Sequence, residues 1–224
     1  MTILAITGLS KEAEIVGVAD VVAVAGGGDA DGLATKLNAL HGDIRGVISI
    51  GLAGALSPLL KVGDVVIADQ ILTGAESWDC HEGWRVRLMS RLVSGVHGPH
   101  QGQLFGSDVI IEKAETKSGL HTATGALAVD MESQVAARFA RVRNLPLAGL
   151  RVISDDATHV LPPAALVAMK PDGGIAIGRV LGSLLRHPSQ VPSLIRTARG
   201  SNKAFAELLR CLDLCGVGIA GLDL

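Results

Sequence analysis

The chain has no tyrosine, and only three phenylalanines and two tryptophans among 224 residues, so stacking of a flat ligand on aromatic rings can play little part in its work. Cysteine is scarce as well: Cys80, Cys211 and Cys215 are an odd set without metal-type spacing. That excludes a disulfide framework and suits a reducing compartment, the cytoplasm. No excess of positive charge exists, the formal net charge being −2, which argues against a nucleic-acid partner. No apolar run reaches the roughly 20 residues of a spanning helix. Met1–Thr7 lacks a basic region and reads as a strand, so no signal peptide is expected. The histidines are scattered, and His97 and His100 have no third ligand near them in sequence, so no metal is expected. No G-x-S-x-G elbow offers a serine nucleophile.

What abounds is Ala, Val, Ile and Leu. Hydrophobic residues make up 48% of the chain, the composition of a sheet buried on both faces. Thr2–Thr7, Val21–Ala25, Ile44–Ile50 and Asp64–Leu72 read as strands, followed by Gln103–Phe105, Val109–Ile111, Ala126–Asp130 and Leu147–Ile153. Helical spacing marks Asp29–Leu40 through Leu33 and Leu37, then Glu112–Thr122 and Glu132–Arg143, while Trp84–Val93 fits either period. This alternation predicts an α/β fold with a mostly parallel or mixed sheet under helices. From Gly178 onward the pattern is only helical, broken by Pro188, Pro192 and a polar Arg199–Asn202 step. No linker interrupts the earlier part. Residues 1–170 are therefore expected to form one domain, with 171–224 a helical extension packed on it.

Ligands of open α/β sheets collect at the carboxyl ends of the strands. Here those ends gather glycines and carboxylates: Gly8 with Glu12, Gly26–Gly28, Gly51–Gly54, Ser107-Asp108, Asp130 with Glu132, and Ser154-Asp155-Asp156. Glu132 begins a helix, where an acid also serves simply as a dipole partner. Directly after a buried strand, its carboxylate could instead accept hydrogen bonds from both hydroxyls of a ribose, with Met131 as an apolar flank. Asp155 and Ser154 end the last strand, where such residues also build turns. As a general acid Asp155 would protonate a departing purine at N7, oriented by Ser154. Ser10 suits an N-cap, and Glu12 is either dipole-favourable or a base that activates water. Gly26–Gly28 does not complete G-x-G-x-x-G, because Asp31 takes the last place, and no P-loop lysine follows. Gly8, Gly27 and Arg45 are the candidate donors to a phosphate. The Gly51–Gly54 turn would let a ligand approach the backbone at Ala53 and Gly54.

Together, G-L-A-G-A-L, V-G-D-V-V-I-A-D, G-Q-L-F-G-S-D, V-D-M-E-S and R-V-I-S-D-D-A resemble the purine nucleoside phosphorylase and methylthioadenosine/S-adenosylhomocysteine nucleosidase superfamily, over about residues 1–165. The resemblance implies a three-layer α/β/α domain whose central mixed sheet partly closes into a barrel, and a homo-oligomer. It implies that Glu132 and Met131 hold the ribose and that Asp155 with Ser154 protonates the purine. Glu12 takes the place of the water-activating acid, and Ala53 and Gly54 line the base and ribose pocket. It implies no cofactor, with phosphate as the candidate co-substrate. The tail, L-P-P-A-A-L-V-A-M-K-P-D-G-G-I and L-L-R-H-P-S-Q-V-P-S-L-I-R-T-A-R, resembles the hopanoid-associated phosphorylase branch. That implies phosphorolytic release of adenine from a lipid-linked nucleoside such as adenosylhopane, approached along apolar Leu184–Leu185 and Val191–Ile195, with peripheral contact to a membrane. Two departures stand out. Ser49 and Leu52 occupy places where such phosphorylases carry a phosphate-binding Arg and Ser, and Val109–Ile111 supplies no aromatic residue beside the base. Hydrolysis by water activated at Glu12 is the alternative, and a non-catalytic nucleoside-binding domain a second.

Overall fold

The computed structural model describes residues 2–17, 20–96 and 99–221; His97 lies outside them. In chain order the strands are β1 (Thr2–Thr7), β2 (Val21–Ala25), β3 (Ile44–Ala55), β4 (Val65–Leu72), β5 (Ser77–Asp79), β6 (His100–Gly106), β7 (Ala128–Asp130) and β8 (Leu147–Asp155). The helices are α1 (Ser10–Val16), α2 (Ala30–Asn38), α3 (Glu82–Leu92), α4 (Ala114–Thr124), α5 (Ser133–Val142), α6 (Pro163–Leu166), α7 (Ile177–Arg186) and α8 (Val191–Cys215).

Strand β3 is the hinge of the architecture. It runs parallel to β1, which carries β2 on its far side, and parallel to β8. β8 pairs antiparallel with β4, β4 parallel with β6, and β6 parallel with β7. β7 then returns antiparallel to β3 at Gly54↔Val129 and Ala55↔Ala128. The five strands β3, β8, β4, β6 and β7 thus close a small barrel, with β1, β2 and β5 as its outgrowths. Side chains alternate between two cores, as the pleat requires. Leu4, Ile6 and Val47 pack with Leu33 and Leu37 of α2 and Phe139 of α5. Ile3, Ala5, Ile48 and Ile50 pack with Trp84 and Leu88 of α3 and Leu208 of α8. Helices therefore cover both faces, giving the three-layer domain.

Several expected elements change shape for identifiable reasons. β3 does not stop at Ile50 but continues through Gly51 and Gly54. Gly51 sits at φ 149°, and a Cβ there would lie 2.9 Å from the Glu12 carboxyl, so the strand can run on only without a side chain. Val109–Ile111 is not a strand. The Ser107 hydroxyl donates to Val109 O (2.7 Å) and accepts from Val109 N (3.2 Å), satisfying locally what a ladder would have used. The ambiguous segment is helix α3, burying Trp84, Leu88 and Leu92 at four-residue spacing. Ser10 is the first residue of α1, not its cap. The polar step at 199–202 does not interrupt α8. Its Gly200 is buried, and a Cβ on it would overlap the carbonyl oxygen of Ser154, so the glycine marks where the helix crosses the end of β8.

Beyond β8 the chain returns to the strand ends. Met169 and Ile175 form an antiparallel bridge, and the hairpin tip is latched by Ser10 N–H to Gly173 O (3.0 Å) and Ser10 Oγ–H to Asp172 O (2.6 Å). Gly27, at φ 68°, lies so close that a Cβ would overlap the Lys170 carbonyl oxygen. The boundary expected at residue 170 therefore falls inside a hairpin packed on the first two strand–helix turns. Helix α7 follows with no buried residue, exposing Ile177, Leu181 and Leu185. No helix among the described residues is long and apolar enough to cross a membrane.

Candidate active site

The β1–α1 turn places Glu12 under the glycine-bearing end of β3. Its side chain is 1% exposed. Oε2 accepts from Gly8 N (2.7 Å) and Leu9 N (2.8 Å), and Oε1 from Leu52 N (2.8 Å). Burial pushes its carboxyl above the usual range, opposed by the Arg151 charge and by these three N–H groups. Glu132, at the start of α5, faces the same turn. A Cβ on Gly8 would lie 3.2 Å from Glu132 Oε2 and 3.4 Å from Glu12 Oε2, so the two carboxyls flank one glycine. Burial pushes Glu132 up to about 7; Arg151 opposes this, while Asp130 and Glu12 add to it. Gly28 N–H bonds to the same carboxyl.

Beneath them lies a cation committed to structure. Arg151 is fully buried. It donates to Ser49 Oγ (2.6 Å), Leu52 O (3.2 Å) and Asp130 Oδ1 (3.0 Å), and stands 3.9 Å from Glu132 Oε2. Asp130 also accepts from the backbone N–H groups of Glu132 (2.8 Å) and Ser133 (2.7 Å), capping α5. Ser49, standing where a phosphate-binding residue was expected, is bonded to Ser133 Oγ at 2.9 Å. A buried charge needs such partners, and these are the signal that Arg151 carried in sequence: an arginine inside an otherwise apolar strand.

Asp155 closes β8 at the other glycine of β3. A Cβ on Gly54 would lie 3.1 Å from Asp155 Oδ2, and Ser154 Oγ donates to Oδ1 (2.8 Å). Ser154 Oγ also lies 3.2 Å from Ala53 O, but a hydroxyl has one proton to give. Lys117 of α4 is an unforeseen neighbour: buried, ion-paired to Asp155 Oδ2 and bonded to the carbonyls of Asp156 and His159, both at 3.1 Å. A lysine on the inward phase of α4, three residues after Ala114 and four before His121, was the sequence signal for it.

The remaining candidates divide. Met131 and Met169 meet at Gly28, where a Cβ would lie 3.3 Å and 3.5 Å from their methyl groups, beside Glu132. Ala53 and Gly54 lie in β3 between Glu12 and Asp155. The candidate phosphate donors are engaged or distant. Gly8 N–H is taken by Glu12, and Gly27 N–H by Gly8 O (2.8 Å). Arg45 stands at the opposite end of β3, six residues before Gly51 and about 20 Å along the strand. Among the described residues no three His, Cys, Asp or Glu side chains are grouped to hold a metal. A cavity of about 670 Å³ opens between α2 and α5, lined among others by Asp108, Arg138 and Phe139. Gly28 is among its lining residues, and none of Glu12, Glu132 and Asp155 lines it.

Gly51 and Gly54 are three residues apart, so Glu12 and Asp155 face points of one strand about 10 Å from each other. The arrangement can position a base on one side of an anomeric carbon and an acid at a leaving group on the other.

Similar architectures are known. The structure of 5′-methylthioadenosine/S-adenosylhomocysteine nucleosidase from S. pneumoniae with a transition-state inhibitor has a TM-score of 0.62 at 20% identity, covering 95% of this chain and 100% of the other. A nucleosidase described in the same terms from Borrelia burgdorferi, bound to adenine, gives 0.60 at 14% identity, covering 92% and 99%. Native futalosine hydrolase of Helicobacter pylori gives 0.59 at 17%, covering 92% and 98%. At these identities the likeness speaks for the fold alone. No curated protein matches the chain in sequence. A family model matches residues 6–171, a span that takes in Glu12, Glu132, Asp155 and the Met169 hairpin strand, and by that match the chain belongs to the phosphorylase superfamily.

Proposed function

We propose that this protein hydrolyses the N-glycosidic bond of a purine nucleoside. Asp155 donates a proton to N7 of the leaving base, Glu12 takes a proton from the attacking water, and Glu132 accepts the ribose hydroxyls. The observation that carries the reading is the placement of Glu12 and Asp155 at Gly51 and Gly54 of one strand, with Glu132 across Gly8 from Glu12. Anions so placed also stabilise the positive charge that develops on the sugar. Neighbouring folds belong to proteins described as nucleosidases and a hydrolase, which makes water the first acceptor to test. Water is favoured over phosphate because the backbone donors and the arginine that would have held a dianion are engaged inside the protein or distant.

The substrate we propose is an adenine nucleoside with a large apolar 5′ group, such as adenosylhopane. Support comes from the tail resemblance and from Met169, which meets Met131 at the site and leads through its hairpin to the exposed Ile177, Leu181 and Leu185 of α7. Arg179 and Arg186 flank that stripe, as on helices that rest at a lipid surface. Phosphorolysis is the second reading, favoured by the tail resemblance. The deciding experiment measures adenine release from adenosines of increasing 5′ hydrophobicity, without and with phosphate, following any sugar phosphate by phosphorus NMR. Hydrolysis predicts undiminished release without phosphate and no ester. Release that requires phosphate establishes the second reading, and binding without release in either buffer points to a nucleoside-binding domain.

A further inference from the structure

The glycosidic chemistry leaves one buried charge unused. Lys117 is fully buried on α4, and its ammonium has three protons. Its three acceptors are Oδ2 of Asp155 and the carbonyl oxygens of Asp156 and His159, so none of its donor capacity is left for a ligand. A lysine is rarely this buried unless paired, and an apolar residue would fill the inward phase of α4 at less cost in desolvation. The segment it grips is braced from α8 as well: His159 Nε2 lies 2.8 Å from Thr197 Oγ1, and Arg196 donates to Asp156 Oδ2 at 2.8 Å. The Asp155 carboxyl is therefore held on both oxygens, Oδ1 by Ser154 and Oδ2 by Lys117.

We propose that Lys117 is a positioning residue for the general acid: it fixes the direction of the Asp155 carboxyl and stabilises the carboxylate that Asp155 becomes when its proton passes to the purine. This rests on the hydrolytic reading above. Asp155 stands ion-paired to Lys117 in this structure, so it first takes a proton from solvent; as the C1′–N9 bond breaks, its electron pair goes to the base and the Asp155 proton goes to N7. The charge left on Asp155 then faces the Lys117 ammonium. The water oxygen bonds to C1′ and yields its proton to Glu12, and exchange with solvent returns both carboxyls to their starting states. Lys117 touches no substrate, and the role needs its charge more than its shape.

The test compares two substrates that differ in their need for an acid. Adenine leaves an adenosine-type nucleoside only with help from a proton, whereas 4-nitrophenolate leaves 4-nitrophenyl β-D-riboside without it. With the full chain, Lys117→Met is expected to lower adenine release about 10²-fold, the lower end of what general acid catalysis contributes, and nitrophenolate release by less than about threefold. Lys117→Arg, which keeps the charge, is expected to recover at least about tenfold of the loss. Equal losses on both substrates in a folded Lys117→Met protein, checked by circular dichroism, overturn the proposal and leave Lys117 a structural brace. Should Lys117→Met fail to fold, Lys117→Gln and Lys117→Arg are compared on the same pair, and a Gln variant that loses both reactions equally overturns it as well. Wild-type protein that cleaves neither substrate overturns the glycosidic reading itself, and this inference with it.

Discussion

Glu12→Gln perturbs the candidate base with almost no change of shape, and the structure sets its size. The carboxyl accepts two N–H groups on Oε2 and one on Oε1. An amide has one oxygen, which can keep Gly8 and Leu9, so its NH₂ must face the Leu52 N–H, donor against donor. A buried donor left without a partner costs about 1–3 kcal/mol. Part of that is offset because the amide escapes the burial that disfavours the charged carboxyl. In a chain of this size, about 1 kcal/mol moves the melting temperature by roughly 2–4 °C, so the variant should melt only several degrees early. Loss of a general base should lower turnover about 10²–10⁴-fold. KM should move little, because the proposal sets Glu12 on the nucleophile's side of the sugar and not at the base. The assay is adenine release in phosphate-free buffer, with melting followed in parallel. A folded Glu12→Gln protein that keeps more than about a tenth of wild-type turnover would refute the assignment of Glu12 as the base.

Other predictions test the remaining parts. Asp155→Asn should lower turnover about 10²-fold or more with little effect on binding, while Asp156→Asn, at a side chain bonded to Thr158 and Arg196, should be milder. Comparable losses in both would mean that the turn, not one acid, had been disturbed. Because burial raises Glu132 from 4.5 to about 7, the folded chain holds a proton there that the unfolded chain has released between those pH values. Stability present at low pH is therefore lost as pH rises through 7, by about 3 kcal/mol, and urea titrations at pH 5 and pH 8 should show a slope that Glu132→Gln flattens. An unchanged slope in that variant would reassign the effect. Gly27→Ala forces a side chain into positive φ and against the Lys170 carbonyl, and should cost more than the roughly 1–2 kcal/mol of the backbone conformation alone. Leu181→Asp should leave folding intact, since that residue is 55% exposed, but should erase any preference for long 5′ substituents; a retained preference would detach α7 from the substrate.

Much of this molecule is legible residue by residue. Near-continuous runs such as Thr2–Thr7 predicted strands because both of their faces are buried, and the carboxylates stood out because each lies at or within about five residues of the end of such a run. Less visible was what depends on closure. β7 is only three residues long, and its antiparallel return to β3 joins segments whose pattern is the same in an open sheet. Gly51 and Gly54 read as the end of a strand because glycine usually weakens one. In the fold they lie inside β3, because the Glu12 and Asp155 carboxyls fill the space where side chains would be. Lys117 lies 38 residues from its partner, and no local pattern links them. The partners of the candidate phosphate donors were hidden for a related reason: which carbonyl or carboxylate reaches a glycine N–H depends on the folded turn, and Gly8 and Gly27 bond within their own turns.

The hairpin latched to Ser10 also orders events in time. Ser10 and Gly27 leave the ribosome early, but Gly173, whose carbonyl receives the Ser10 N–H, follows more than 160 residues after Ser10. At about 5–20 residues per second, that gap lasts roughly 8–30 s. Through that interval the β1–α1 turn holding Glu12 lacks its C-terminal cover, and for all but the last 18 residues of it also the end of the strand that carries Asp155. On the proposed reading, Glu12 is made about 120 residues before Glu132 and about 143 before Asp155, so the three carboxyls come together only once β8 has followed α5 out of the ribosome.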